Sequence, residues 1–112
     1  MEHTNAINSI QQLEEILKSE IAVLLYFNTL SCNVGESLEP KVKNLLTSNF
    51  PKIGFYTIDL NFSPEIAATY SAFVEPTIIL FFEGKETIRK SRNIGIYELQ
   101  EAIERPYKLI FE

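Results

Sequence analysis

Tryptophan is absent from this chain of 112 residues, and cysteine, histidine and methionine occur once each. A single cysteine cannot close a disulfide within one chain, which fits a reducing cytoplasm. One histidine and one cysteine, His3 and Cys32, cannot build a metal site, so neither a metal nor another cofactor is expected. Positive charge is scarce too: 10 Lys and Arg face 15 Asp and Glu, for a net charge of −5. That leaves no basic footprint for nucleic acid or an anionic membrane, and neither is expected as a partner. The apolar runs are far too short to span a bilayer. The first ten residues, MEHTNAINSI, have neither the basic segment nor the apolar core of a signal peptide. Glycine-rich phosphate loops, carboxylate pairs with catalytic spacing, repeats, linkers and low-complexity segments are all missing. One cytoplasmic domain over residues 1–112 is expected, and with 46% apolar residues it is long enough to bury a core.

What is present centres on residues 21–40, IAVLLYFNTLSCNVGESLEP. Ile21 to Phe27 is an unbroken apolar run, rich in β-branched and aromatic residues, and predicts a buried strand. A polar turn from Asn28 to Ser31 leads to Cys32. Val34, Leu38, Val42, Leu45 and Leu46 then recur at helical spacing, predicting a helix from about Cys32 to about Ser48. Pro40 falls inside it and is expected to kink it. Cys32 thus stands where a strand hands over to a helix. Free backbone N–H groups and the positive end of the helix dipole favour an anion there, which for cysteine is the thiolate.

The remainder alternates helix and strand. Ser9 with Gln12 reads as a capping box opening a helix whose stripe is Ile10, Leu13, Ile16 and Leu17, closed by Ser19 and Glu20. Ile53 to Asp59 predicts a second strand. Ser63-Pro64-Glu65 predicts a short helix, with the hydroxyl as N-cap, ending near Tyr70 or Ser71. Thr77 to Phe82, TIILFF, reads as a central strand. Glu83-Gly84-Lys85 is a tight turn, and Glu86 to Ser91 its hairpin partner on the sheet edge. Gly95 opens a last helix with Ile96, Leu99, Ala102 and Ile103 on one face, expected to stop at Pro106. In the tail, YKLIFE, one of Leu109, Ile110 or Phe111 is expected to pack. The order α-β-α-β-α-β-β-α puts the first two strands parallel and the last two antiparallel, in an α/β fold.

With these elements placed, the chain resembles the thioredoxins from its first helix to its last. Three signatures carry the resemblance. Cys32 follows a strand and turn, opens a helix, and has Pro40 eight residues on. Pro76, in Glu75-Pro76-Thr77, directly precedes the central strand, where the family has a cis-proline packed against the active-site cysteine. Glu83-Gly84-Lys85 joins the last two strands, with Gly95 near the start of the final helix. The resemblance implies a four-stranded mixed sheet ordered 53–59, 21–27, 77–82, 86–91, flanked by four helices. The N-terminal strand of many thioredoxins is expected to be missing.

Departures from the family pattern bear on function. A tryptophan and a Cys-Gly-Pro-Cys unit mark the family's active site; here the corresponding residues are Ser31, Cys32, Asn33, Val34 and Gly35. The attacking cysteine is kept and the resolving one is Gly35. The family's buried aspartate and lysine fall at Tyr26 and Phe55, and Glu75 replaces a small apolar residue before the proline. Release of a mixed disulfide needs a second sulfur, so turnover on its own is excluded. Glu75 and Glu36 are expected to disfavour the thiolate, with no Lys, Arg or His close in sequence to offset them. The resemblance implies a redox-homeostasis protein in which Cys32 exchanges with a protein or small-molecule thiol or disulfide. Its substrate groove would comprise Ser31, Asn33, Val34, Gly35, Glu75 and Pro76. Two alternatives stand beside it. One is a binding module using the same groove without exchange; the other, weaker, is a glutathione-dependent monothiol glutaredoxin, whose Gly-Gly and aspartate are replaced by SRNIGIYEL.

Overall fold

Two uninterrupted apolar runs, 22–27 and 78–82, form the body of neighbouring strands at the centre of the sheet, where both faces are covered. The computed structural model describes residues 5–29 and 33–112, with backbone alone at 33 and 34. The elements are α1 (Ile10–Ser19), β1 (Ala22–Asn28), α2 (Asn33–Asn49), β2 (Gly54–Asp59), α3 (Pro64–Thr69), β3 (Thr77–Phe82), β4 (Lys85–Ser91) and α4 (Ile96–Phe111). The sheet runs β2-β1-β3-β4, with β1 and β2 parallel and the other two pairings antiparallel. This is the four-stranded mixed sheet with four helices that the sequence predicts. Among the described residues before α1, 5–7 make a one-residue parallel bridge, Ala6 with Thr57, on the outer side of β2.

The alternation of side chains along the strands splits the core in two. Leu24 and Tyr26 of β1 and Ile78 and Leu80 of β3 face α2 and α4, meeting Val42, Leu46, Leu99 and Ile103. Val23, Leu25 and Phe27, with Ile79 and Phe81, face α1 and α3, meeting Leu13 and Ile66. Full burial of each such side chain is worth about 1.5–3 kcal/mol. Ile21, expected in the first strand, is instead 53% exposed and lies outside it.

Local rules explain most element ends. Ser9 accepts from the Gln12 amide at 3.1 Å, and the Gln12 side chain accepts from the Asn8 amide at 3.0 Å. Glu83 and Gly84 both have positive φ, 54° and 79°, as a two-residue hairpin turn of matching twist requires. Two expectations are corrected. Ser63 does not cap α3 through its hydroxyl, which turns to the Asn8 carbonyl; its own carbonyl accepts the first helical bond, from Ile66.

The second correction is Pro106, which does not end α4: the helix runs to Phe111. A proline inside a helix costs about 3 kcal/mol. Beyond it Tyr107 is buried against Phe50, ring centroids 5.0 Å apart, and the Phe111 ring lies tilted against that of Tyr107 at 4.8 Å. Ile110 and Phe111 pack on the core while Leu109 stays exposed. Burial of that order matches the proline's penalty, so the helix continues.

Candidate functional site

Strand register builds the site. Thr77 pairs with Phe27 on one side and Ser91 on the other. One residue further along each strand come Asn28, Pro76 and Arg92, which therefore form a row at one end of the sheet. The Arg92 amide donates to the Pro76 carbonyl at 2.9 Å, closing the row on one side. On the other, the Leu60 amide donates to the Asn28 carbonyl at 3.1 Å. The α2 helix begins at Asn33 just beyond the same end of β1, and Cys32 directly precedes it in the chain. Ser31 and Cys32, like His3, lie outside the described residues.

Glu75 is half-buried and its peptide bond to Pro76 is cis. Its carboxylate accepts a hydrogen bond from the buried Thr29 hydroxyl at 2.8 Å, tying the end of β1 to the segment before β3. That segment is anchored from the far side as well. The Arg89 guanidinium donates to the carbonyls of Tyr70, at 2.8 Å, and Ser71, at 3.4 Å, beyond the end of α3. Arg89 also pairs with Glu86 at 2.8 Å, the single ion pair among the described residues, and this hydrogen bond holds the Glu86 carboxyl below the usual carboxylate range.

Tyr26 and Phe55 bring no charge behind the site. Tyr26 is fully buried, its hydroxyl donates to the Gly35 carbonyl in the first turn of α2, and its ring lies 6.0 Å from that of Phe55. The two positions that hold an ionisable pair in the thioredoxins are thus filled by two rings in contact.

Gly35, expected in the groove, is buried, and a side chain there would overlap the carboxamide of Asn28. Asn28 is itself only 9% exposed. Its Nδ2 donates to the Thr29 carbonyl at 2.9 Å, and its Oδ1 has no partner among the described residues. Pro76 is buried too.

Arg92 supplies what the sequence reading did not find, a cation at this end of the molecule. It stands in the row beside Pro76 with φ of 62°, a left-handed backbone uncommon outside glycine. With Lys41, Leu38 and Ile94 it lines a groove of about 750 Å³ between α2 and the start of α4, which Glu98 also borders. A second cavity, about 460 Å³, lies against Tyr26, Asn28 and Pro40 and carries Glu36, Glu39 and Asp59. Among the described residues no three His, Cys, Asp or Glu side chains gather to hold a metal ion, and no helix is long and apolar enough to cross a membrane. Asn28 and Arg92 were missed because each gains its place only through register, and the bond from Thr29 to Glu75 because it joins residues far apart in the chain. The signals available were slight: two polar residues just after an apolar run, and an arginine just after the last strand.

Comparison with known proteins bears on this geometry. The family model for thioredoxin matches residues 4–105. The thioredoxin-like protein YdfQ of Bacillus subtilis is 26% identical over 109 residues, covering 97% of this chain and 96% of that one. The thioredoxin of Rickettsia bellii is 28% identical over 91 residues, 81% of this chain and 84% of its own. In three dimensions, Fasciola hepatica thioredoxin superposes with a TM-score of 0.79 at 27% identity, covering 89% of this chain and 96% of that one.

Proposed function

The chain belongs to the thioredoxin family, and we propose that it works in cytoplasmic thiol–disulfide homeostasis through one sulfur, that of Cys32. The observation that carries this reading is the row Asn28, Pro76, Arg92 beside the start of α2, immediately before which the only cysteine falls. The Cys32 thiolate attacks a disulfide RS–SR′. A Cys32–S–S–R bond forms as the RS–SR′ bond breaks, and R′S⁻ leaves with the electron pair. An external thiolate then attacks the adduct on its R sulfur and returns Cys32 as thiolate. The substrate's extended backbone pairs in strand-like fashion with exposed backbone beside Pro76, in the segment that leads into β3.

Two measurements test this. After incubation with small and protein disulfides, intact mass should show one adduct on the wild type and none on Cys32→Ser. Insulin reduction should require an added small thiol. Absence of any Cys32 adduct sinks the proposal.

A second reading, partner binding without exchange, is supported by Phe73, an aromatic residue 70% exposed three positions before Pro76. The uncharged pair Tyr26 and Phe55 is consistent with it. Under this reading Cys32→Ser retains partner binding unchanged.

A further inference from the structure

Gly35 is the third residue of α2 and its φ is not positive, so the backbone does not call for glycine there. In a helix, alanine is the better residue at an ordinary position. The glycine is explained by space: a Cβ at position 35 would overlap Oδ1, Cγ and Nδ2 of Asn28. Turning Asn28 aside has a cost: the residue is nine-tenths buried, and the move would break the bond from its Nδ2 to the Thr29 carbonyl and carry the carboxamide into the cavity beside it. Its Oδ1 has no partner among the described residues.

We infer that Asn28 is the residue that keeps this site single-thiol: its carboxamide holds the volume that a side chain at position 35 would need. Loss of the resolving cysteine is then not a vacancy that one substitution refills. A side chain placed at 35, a thiol included, meets the Asn28 carboxamide first, and its exchange with an adduct on Cys32 is opposed to that extent. An adduct on Cys32 therefore persists until an external thiol arrives, which makes the lifetime of the captured disulfide depend on the concentration of that thiol. Asn28 is a positioning residue here, since it acts through the space over position 35. The consequence for adduct lifetime rests on the exchange reading above; the exclusion of a side chain at position 35 does not.

The experiment separates the two. Thermal melts of wild type, Gly35→Ala, Asn28→Ala and the double variant form a cycle that involves no thiol chemistry. Gly35→Ala alone should lower the melting temperature by about 5 °C, against the helix propensity of alanine, and in the Asn28→Ala background it should leave it unchanged or raise it. An equal drop in both backgrounds overturns the inference. Kinetics supply the readout that packing alone would not move. With 5,5′-dithiobis(2-nitrobenzoate), wild type should release one coloured thiolate and hold its adduct. Gly35→Cys with Asn28→Ala should release a second equivalent, forming an internal disulfide two mass units lighter, about tenfold faster than Gly35→Cys alone. If Gly35→Cys alone resolves as fast as the pair, or the folded pair fails to resolve, Asn28 is not the block. Were Cys32 of the wild type inert towards protein disulfides, the exchange reading would fail while the thermal cycle still decided the role of Asn28.

Discussion

Tyr26 and Phe55 meet ring to ring behind the start of α2, centroids 6.0 Å apart, and the Tyr26 hydroxyl closes on the Gly35 carbonyl. One polar atom in that pocket is thereby spent on holding the helix, and none on carrying charge. Tyr26→Phe should lose about 1 kcal/mol of stability in urea denaturation, the worth of one hydrogen bond. Tyr26→Asp should lose more than about 3 kcal/mol, because Phe55 offers the carboxylate no cation. Equal stability of Tyr26→Asp and wild type at neutral pH would show that charge is accommodated there after all.

The bond from Thr29 to Glu75 should be measurable as a coupling. Thr29→Val and Glu75→Ala should each cost about 1–2 kcal/mol, and the double variant should fall short of their sum. Additive losses in that cycle would mean the two side chains do not act together.

Charge around Cys32 should be readable in its alkylation rate at neutral pH. Glu75→Gln removes a negative charge from this end of the sheet and should raise the rate, and Arg92→Gln should lower it, each by about two- to fivefold. Both effects should shrink at high salt. No response to either substitution would place the sulfur out of reach of both groups.

Acid should loosen the anchor on the segment before β3. Arg89 lowers the pKa of Glu86, chiefly through their hydrogen bond, so the folded state holds this carboxylate ionised more firmly than the unfolded chain does. The stability that follows is present above the ordinary glutamate value of 4.5 and is lost as pH falls below it. The difference in urea midpoint between wild type and Arg89→Ala should therefore narrow in acid; a constant difference would show that the pair contributes nothing through charge.

Alkali should act at the opposite corner. Burial, with a hydrogen bond to Glu20, pushes Tyr56 from 10.0 up to about 12. The folded state then keeps a proton that the unfolded chain has lost, so stability falls as pH rises from 10 towards 12. Tyr56→Phe should flatten that decline in urea titrations. A slope unchanged by the substitution would assign it to other groups.

Much of the architecture was legible because it follows from short-range chemistry. The apolar runs at 22–27 and 78–82, the capping box at Ser9 and Gln12, and the turn at Glu83-Gly84 each act through neighbours in the chain. Pro106 misled for the converse reason: its local penalty was set against the burial of Tyr107, Ile110 and Phe111, which depends on where Phe50 and the core lie. Ser63 failed as a cap because a distant carbonyl, that of Asn8, lies beside its hydroxyl.

The candidate site divides along the same line. By itself the sequence determined that there is one thiol, that it directly precedes a helix, and that Gly35, Tyr26 and Phe55 stand where the family's resolving and ionisable groups would be. Those are matters of residue identity and count. The tertiary structure alone decided that Asn28 fills the space over Gly35, that Thr29 holds Glu75, and that Arg92 comes beside Pro76. Each of these joins residues separated along the chain, through the pairing of β1, β3 and β4 or the docking of α2. Periodicity reports which face a side chain takes; only register and packing report whom it meets.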